Sequence, residues 1–107
     1  AGAYGINDLN PQAILSVPVS YLAEKFQFKL EEDEDGLDRF EGAALFVAGR
    51  PIVLKHYAGH PPRTTTVYLS ASTKDVVEIT KFIRVVLKHL ELSRDSLQWE
   101  RKMNPEY

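Results

Sequence analysis

The chain has 107 residues, of which 44% are apolar and 26% are charged, and its formal net charge is −2. This length and composition suit one globular domain over 1–107, with flexible ends at 1–10 and 102–107. They exclude a membrane span, since the longest aliphatic and aromatic run covers only 43–48, and the lack of cysteine excludes disulfides and cysteine-ligated zinc. The first residues carry no signal-peptide pattern, so we expect a cytoplasmic protein.

The N-terminal part predicts helix and then loop. Residues 1–10 show no periodicity, and Asn10-Pro11 fits a helix entry with Asn as the cap. Apolar residues at helical spacing predict a short helix over 18–27. The acidic run that begins at Glu31 is typical of a solvated, mobile loop.

The stretch from Phe40 to Tyr57 predicts the centre of the fold. Two strands are predicted, over 39–48 and 51–58. Both have apolar residues at odd and at even positions, which indicates that both of their faces are covered. A third strand, rich in β-branched and aromatic residues, follows over 64–70. The short connections favour antiparallel pairing, and the three strands form a meander.

The C-terminal part predicts one long helix and one more strand. An apolar stripe along 73–91 predicts a helix with Ser72 or Thr73 as its N-cap. Apolar and polar residues alternate over 97–101, which predicts a final strand at the edge of the sheet. The expected fold class is therefore α+β: an antiparallel β-meander of three to four strands, including the C-terminal strand, packed against one long amphipathic helix, with a shorter N-terminal helix. The helix over 18–27 is expected to cover an end or the second face of this sheet.

The acidic run partly resembles a calcium-binding loop. Glu31, Asp33, Asp35 and Gly36 have the spacing of three ligands and the turn glycine. However, the residue that should close the site is Gly42 rather than glutamate. The run is therefore interpreted as a solvated loop or as an anionic docking surface for a basic partner, and no metal is predicted.

Basic and aromatic residues gather around 55–63 and form the candidate ligand-binding patch. Its members are Arg50, Lys55, His56, Tyr57, His60 and Arg63. Arginine matches phosphate and aromatic rings accept stacked bases, but an acidic protein is an unusual nucleic-acid binder. The alternative is that these residues pair with the acidic run. The two histidines are four residues apart, a metal-binding spacing only on a helix, which Gly59 and the prolines after His60 oppose.

No Gly-x-Ser-x-Gly, Gly-x-Gly-x-x-Gly or Walker-type pattern is present, and no catalytic residue or cofactor is predicted. The charge is segregated: nine acidic and three basic residues up to Gly42 give −6, and the remainder is +4. Together with the two-sided strands, this favours a non-enzymatic interaction module that forms a homodimer or binds another protein. Two alternatives remain: a ligand-binding or catalytic protein using the 55–63 cleft, and a weak nucleic-acid binder using the same patch.

Overall fold

The computed structural model describes residues 9–34, 38–70 and 75–100. Its elements are β1 (Leu9–Leu15), α1 (Val19–Phe26), β2 (Glu31–Glu34), β3 (Arg39–Val47), β4 (Arg50–Tyr57), β5 (Thr65–Ser70), α2 (Val76–His89), a 3-10 turn (Arg94–Ser96) and β6 (Leu97–Glu100). The six strands form one sheet in the order β2-β3-β4-β5-β1-β6, and every neighbouring pair is antiparallel. Neither helix is long and apolar enough to span a membrane.

The β3–β4 hairpin sets the register of the central strands. Its turn is made by Ala48 and Gly49, which have φ values of 52° and 82°. Positive φ at both turn positions matches the right-handed twist of the strands on either side. This two-residue turn pairs Phe40 with Tyr57 at the far end of the hairpin.

Strand β1 corrects the prediction for the N-terminal segment. The chain continues as a strand through Asn10 and Pro11 instead of entering a helix, and a bulge between Pro11 and Ala13 accommodates the proline. Ala13 and Leu15 are fully buried on one side of the sheet. The segment is extended because it pairs with β5 on one side and β6 on the other, a tertiary effect that local propensity does not report.

Strand β2 corrects the prediction of an acidic loop over 31–34. Glu31 pairs with Gly42 and Glu34 with Arg39, so the acidic residues form an edge strand. All four of its side chains are exposed, and the carboxylates therefore stay hydrated while the backbone bonds to β3. Asp35 and Gly36 lie outside the described residues.

These two strands overturn the predicted fold class. The α+β content is confirmed, but the sheet has six strands rather than three to four. The C-terminal strand is an edge strand, as predicted, yet β6 pairs with β1 and does not extend the meander.

The N-cap of helix α2 lies two or three residues after the predicted one. The Asp75 carboxylate accepts a hydrogen bond of 3.0 Å from the main-chain N–H of Val77 and so satisfies one unpaired N–H of the first turn. The residues predicted as caps, Ser72 and Thr73, lie outside the described part of the chain.

Both helices pack on the same face of the sheet. Leu22 of α1 and Ile83 of α2 belong to one core cluster with Ile52 and Leu54, which alternate onto one side of β4. Val53 points to the other side and does not belong to this cluster. The expectation that the first helix covers the second face is therefore wrong. We call the side with α1 and α2 the helix-bearing face and the opposite side the open face.

Candidate functional site

The open face presents a nearly uncharged, aromatic surface. Strands β3, β4, β5, β1 and β6 contribute to it the side chains of Phe40, Ala44, Phe46, Pro51, Val53, Lys55, Tyr57, Thr66, Tyr68, Ile14 and Trp99. Phe46 is 73% exposed and Trp99 is 43% exposed, although both are large apolar residues. Among the described residues of these five strands, Lys55 is the only charged side chain on this face.

Aromatic rings enclose the charge of Lys55. Its Nζ lies 4.3 Å from the ring centroid of Phe40, 5.0 Å from that of Tyr68 and 5.6 Å from that of Tyr57. Gly42 stands opposite Lys55 on β3 and has no side chain, which leaves room for the lysine. Nζ also donates to the Tyr57 hydroxyl at 3.4 Å. The ammonium is thus stabilised within the face by cation–π contacts.

The loop after β4 extends this aromatic surface. The rings of His60 and Tyr57 are 5.4 Å apart, and Tyr57 is 5.2 Å from Phe40. The loop is anchored by the main-chain N–H of Gly59, which donates to Oδ2 of Asp38 at 2.9 Å. Of the predicted patch, the structure therefore brings Lys55, Tyr57 and His60 together.

The other three members of the predicted patch lie elsewhere. Arg50 is at the opposite end of β4, where its guanidinium lies 4.6 Å from the ring centroid of Phe82 on α2. His56 alternates onto the helix-bearing face, and Arg63 is an exposed loop residue with a φ of 65°. The six residues do not converge on one cleft.

His56 belongs to a second site, at a corner of the helix-bearing face. A cavity of about 270 Å³ is lined there by Glu32, Arg39, Phe40, Glu41, His56 and Ala58. We call these six residues the polar corner. The sheet register brings its charged groups together across three strands, because Glu41 pairs with Glu32 on β2 and with His56 on β4.

The tautomer of His56 follows from its contact with Thr64, the residue before β5. Nδ1 lies 2.9 Å from the carbonyl oxygen of Thr64. Since a carbonyl only accepts, Nδ1 carries the hydrogen in the neutral ring and Nε2 keeps a lone pair. The ring is thus held with one nitrogen engaged and the other available as an acceptor.

His56 was predictable from its residue type, but its neighbours Glu32, Arg39 and Glu41 were not predicted. The pairing of Glu41 with His56 could have been predicted from the turn. In a hairpin with a two-residue turn, residues at equal distances from the turn face each other, and Glu41 and His56 are equally far from Ala48 and Gly49.

The histidine and acidic residues do not form a metal centre within the described residues. In those ranges no three His, Asp or Glu side chains are grouped so that they could hold one ion. Glu31 and Asp33, two members of the calcium-like spacing, lie on strand β2 rather than in a loop.

No protein-family model matches this chain, and no curated protein or solved structure matches it at a significant level. The chemistry of the open face and of the polar corner therefore rests on their geometry.

Proposed function

We propose that this protein is a non-enzymatic recognition module that self-associates through the open face of its sheet. The observation that carries the proposal is the placement of both helices on the opposite face, which leaves Phe46 and Trp99 exposed. Exposed aromatic surface with little charge is typical of the centre of protein–protein interfaces. The cysteine-free composition suits the reducing cytoplasm, where we place the module.

The charge of the open face favours a protein over a nucleic acid. Binding to a phosphate backbone depends on several cations, and this face offers Lys55, already enclosed by rings. Glu31 and Asp33 add negative charge on the same side at the β2 edge, since they pair with Gly42 and Phe40. A polyanion would be repelled there.

The same charge pattern suits a second copy of the chain. In a twofold interface, residues close to the axis meet their own counterparts, so an exposed charge at the centre would face a like charge. Here the exposed carboxylates of Glu31 and Asp33 lie on an edge strand, and the charge on a central strand, that of Lys55, is half-buried among aromatic rings.

The size of the face also suits a dimer. Six strands about 4.8 Å apart and roughly 20 Å long give a projected area of about 500 Å². Side-chain relief increases the accessible area toward the ~800 Å² per partner of an ordinary interface.

The test is sedimentation equilibrium across micromolar concentrations on the wild type and two lysine variants. Phe46→Lys puts a charge on the open face and is expected to weaken the dimer at least about tenfold. Val85→Lys is the matched control, because Val85 is an exposed apolar residue on the outer side of α2, and it should change the dissociation constant by less than about twofold.

A strictly monomeric wild type would overturn the proposal. Equal weakening by the two variants would also overturn it, since that result would reflect added charge rather than the face that carries it. Circular dichroism of both variants establishes that each is folded.

A further inference from the structure

We propose that the polar corner is a binding site for an alkylammonium group, from either a free amine or a lysine side chain of a peptide. The site lies on the helix-bearing face and is independent of the self-association proposed for the open face. The cavity there, of about 270 Å³, is slightly smaller than the ~300–1,000 Å³ of ordinary small-molecule pockets, which suits a small group.

Two hydrogen-bond acceptors from adjacent strands line the cavity. The half-buried Glu41 is the cross-strand neighbour of His56, and within the described ranges no hydrogen bond or ion pair engages its carboxylate. The second acceptor is Nε2 of His56, because Nδ1 is committed to the Thr64 carbonyl. An ammonium has three donors and no acceptor, so it complements this pair.

The remaining charges at the polar corner offset each other. Nη2 of Arg39 lies 3.9 Å from Oε1 of Glu32, and both side chains are 76% exposed. The carboxylate of Glu41 is therefore the charge of the cavity that no arginine offsets. Ala58 supplies apolar lining for the methylene groups next to the ammonium.

The surroundings select an organic cation over other ligands. An anion would meet the charge of Glu41, and the described residues provide no three-ligand group for a metal ion. A neighbouring groove lined by Glu32, Asp33, Glu34 and Arg39 carries a further excess of carboxylates. Its field raises the local concentration of cations beside the cavity.

The experiment is an NMR titration of the full chain with n-butylamine at about pH 7.5, where the amine is protonated. We expect saturable shifts of the Glu41 and His56 amide signals. Glu41→Gln keeps the shape of the side chain and should weaken binding at least about tenfold. Glu31→Gln makes the same charge change on the open-face side of β2 and should alter binding by less than about twofold.

A second arm identifies the source of the ammonium. A short peptide with one central lysine is compared with the same peptide carrying norleucine. Binding of the lysine peptide at least about tenfold tighter than n-butylamine assigns the site to a protein ligand, and equal or weaker binding assigns it to a free amine.

Three results would overturn the proposal. They are the absence of shifts with both ammonium probes, equal shifts with butyrate, and equal weakening by Glu41→Gln and Glu31→Gln, which would indicate a general effect of net charge. Because Phe46→Lys lies on the other face, it should not alter amine binding, and the two proposals can fail separately.

Discussion

The helix-bearing face and the open face bury neighbouring residues by different means. Val67 on β5 and Val53 on β4 are both fully buried. Val67 belongs to the aliphatic core cluster under α1 and α2, whereas Val53 lies on the open face beside Ala44 and Tyr68 in the sheet. The two valines are therefore equally buried but differently placed: Val67 packs in the cluster that contains both helices, and Val53 does not belong to it.

The largest expected difference between the faces comes from truncating these two valines. Val67→Ala should lower the free energy of unfolding by about 3 kcal/mol, because the core around it is packed on both sides and leaves a cavity. Val53→Ala should cost about 1.5 kcal/mol, because no described helix packs on its side of the sheet and the neighbouring side chains can close over the gap. Urea unfolding at low protein concentration measures both. Equal losses would mean that the open face is packed as firmly as the core.

A smaller effect is expected from removing the charge enclosed on the open face. Lys55→Gln should lower the free energy of unfolding by about 1 kcal/mol, since it removes an ammonium that lies near three aromatic rings. Lys55→Arg keeps a cation and should recover part of the loss. An unchanged urea midpoint for Lys55→Gln would show that the rings stabilise the face without the cation.

The smallest effect is expected from removing the charge of Lys25, because its ion pair is exposed to water. Nζ of Lys25 lies 3.2 Å from Oε1 of Glu91, and this hydrogen bond raises the pKa of Lys25. A raised pKa means that the pair stabilises the fold below the ordinary lysine range and ceases to do so above it, in strongly alkaline solution. Both side chains reach water, so screening leaves little of this effect. Thermal unfolding of Lys25→Gln at neutral pH should match the wild type, and a clear drop would contradict the contrast with Lys55.

Much of the fold was predictable where a pattern is local. The stripe of α2 and the β-branched run of β5 each predict their own element, and the structure has both. Strands β1 and β2 were not predictable in this way. Pro11 is unfavourable in a strand, but the bulge in β1 accommodates it. The carboxylates of β2 are unfavourable in a buried strand, but β2 lies at the edge of the sheet, where they stay in water. Both outcomes depend on which neighbour the strand finds in the sheet.

The candidate site was less predictable than the fold because it depends on register. His56 was identified from its residue type, yet its grouping with Lys55 was misleading, since consecutive residues in a strand point to opposite faces. Its actual neighbour, Glu41, is fifteen positions away in the sequence. If the turn is predicted one residue too far along the chain, every cross-strand pair changes. The predicted strands, 39–48 and 51–58, place the turn one residue later than the observed β3 and β4.

The position of β1 determines the order in which the sheet can be completed during synthesis. Of the described strands, β1 leaves the ribosome first, but its partner β5 begins about 50 residues later, a delay of roughly 3–10 s at ordinary translation rates. Meanwhile the meander from β2 to β5 can form from local pairings alone. Strand β6 pairs only with β1 among the described strands, so it docks last, and the nascent chain keeps the apolar side chains of β1 exposed until the middle of the protein has emerged.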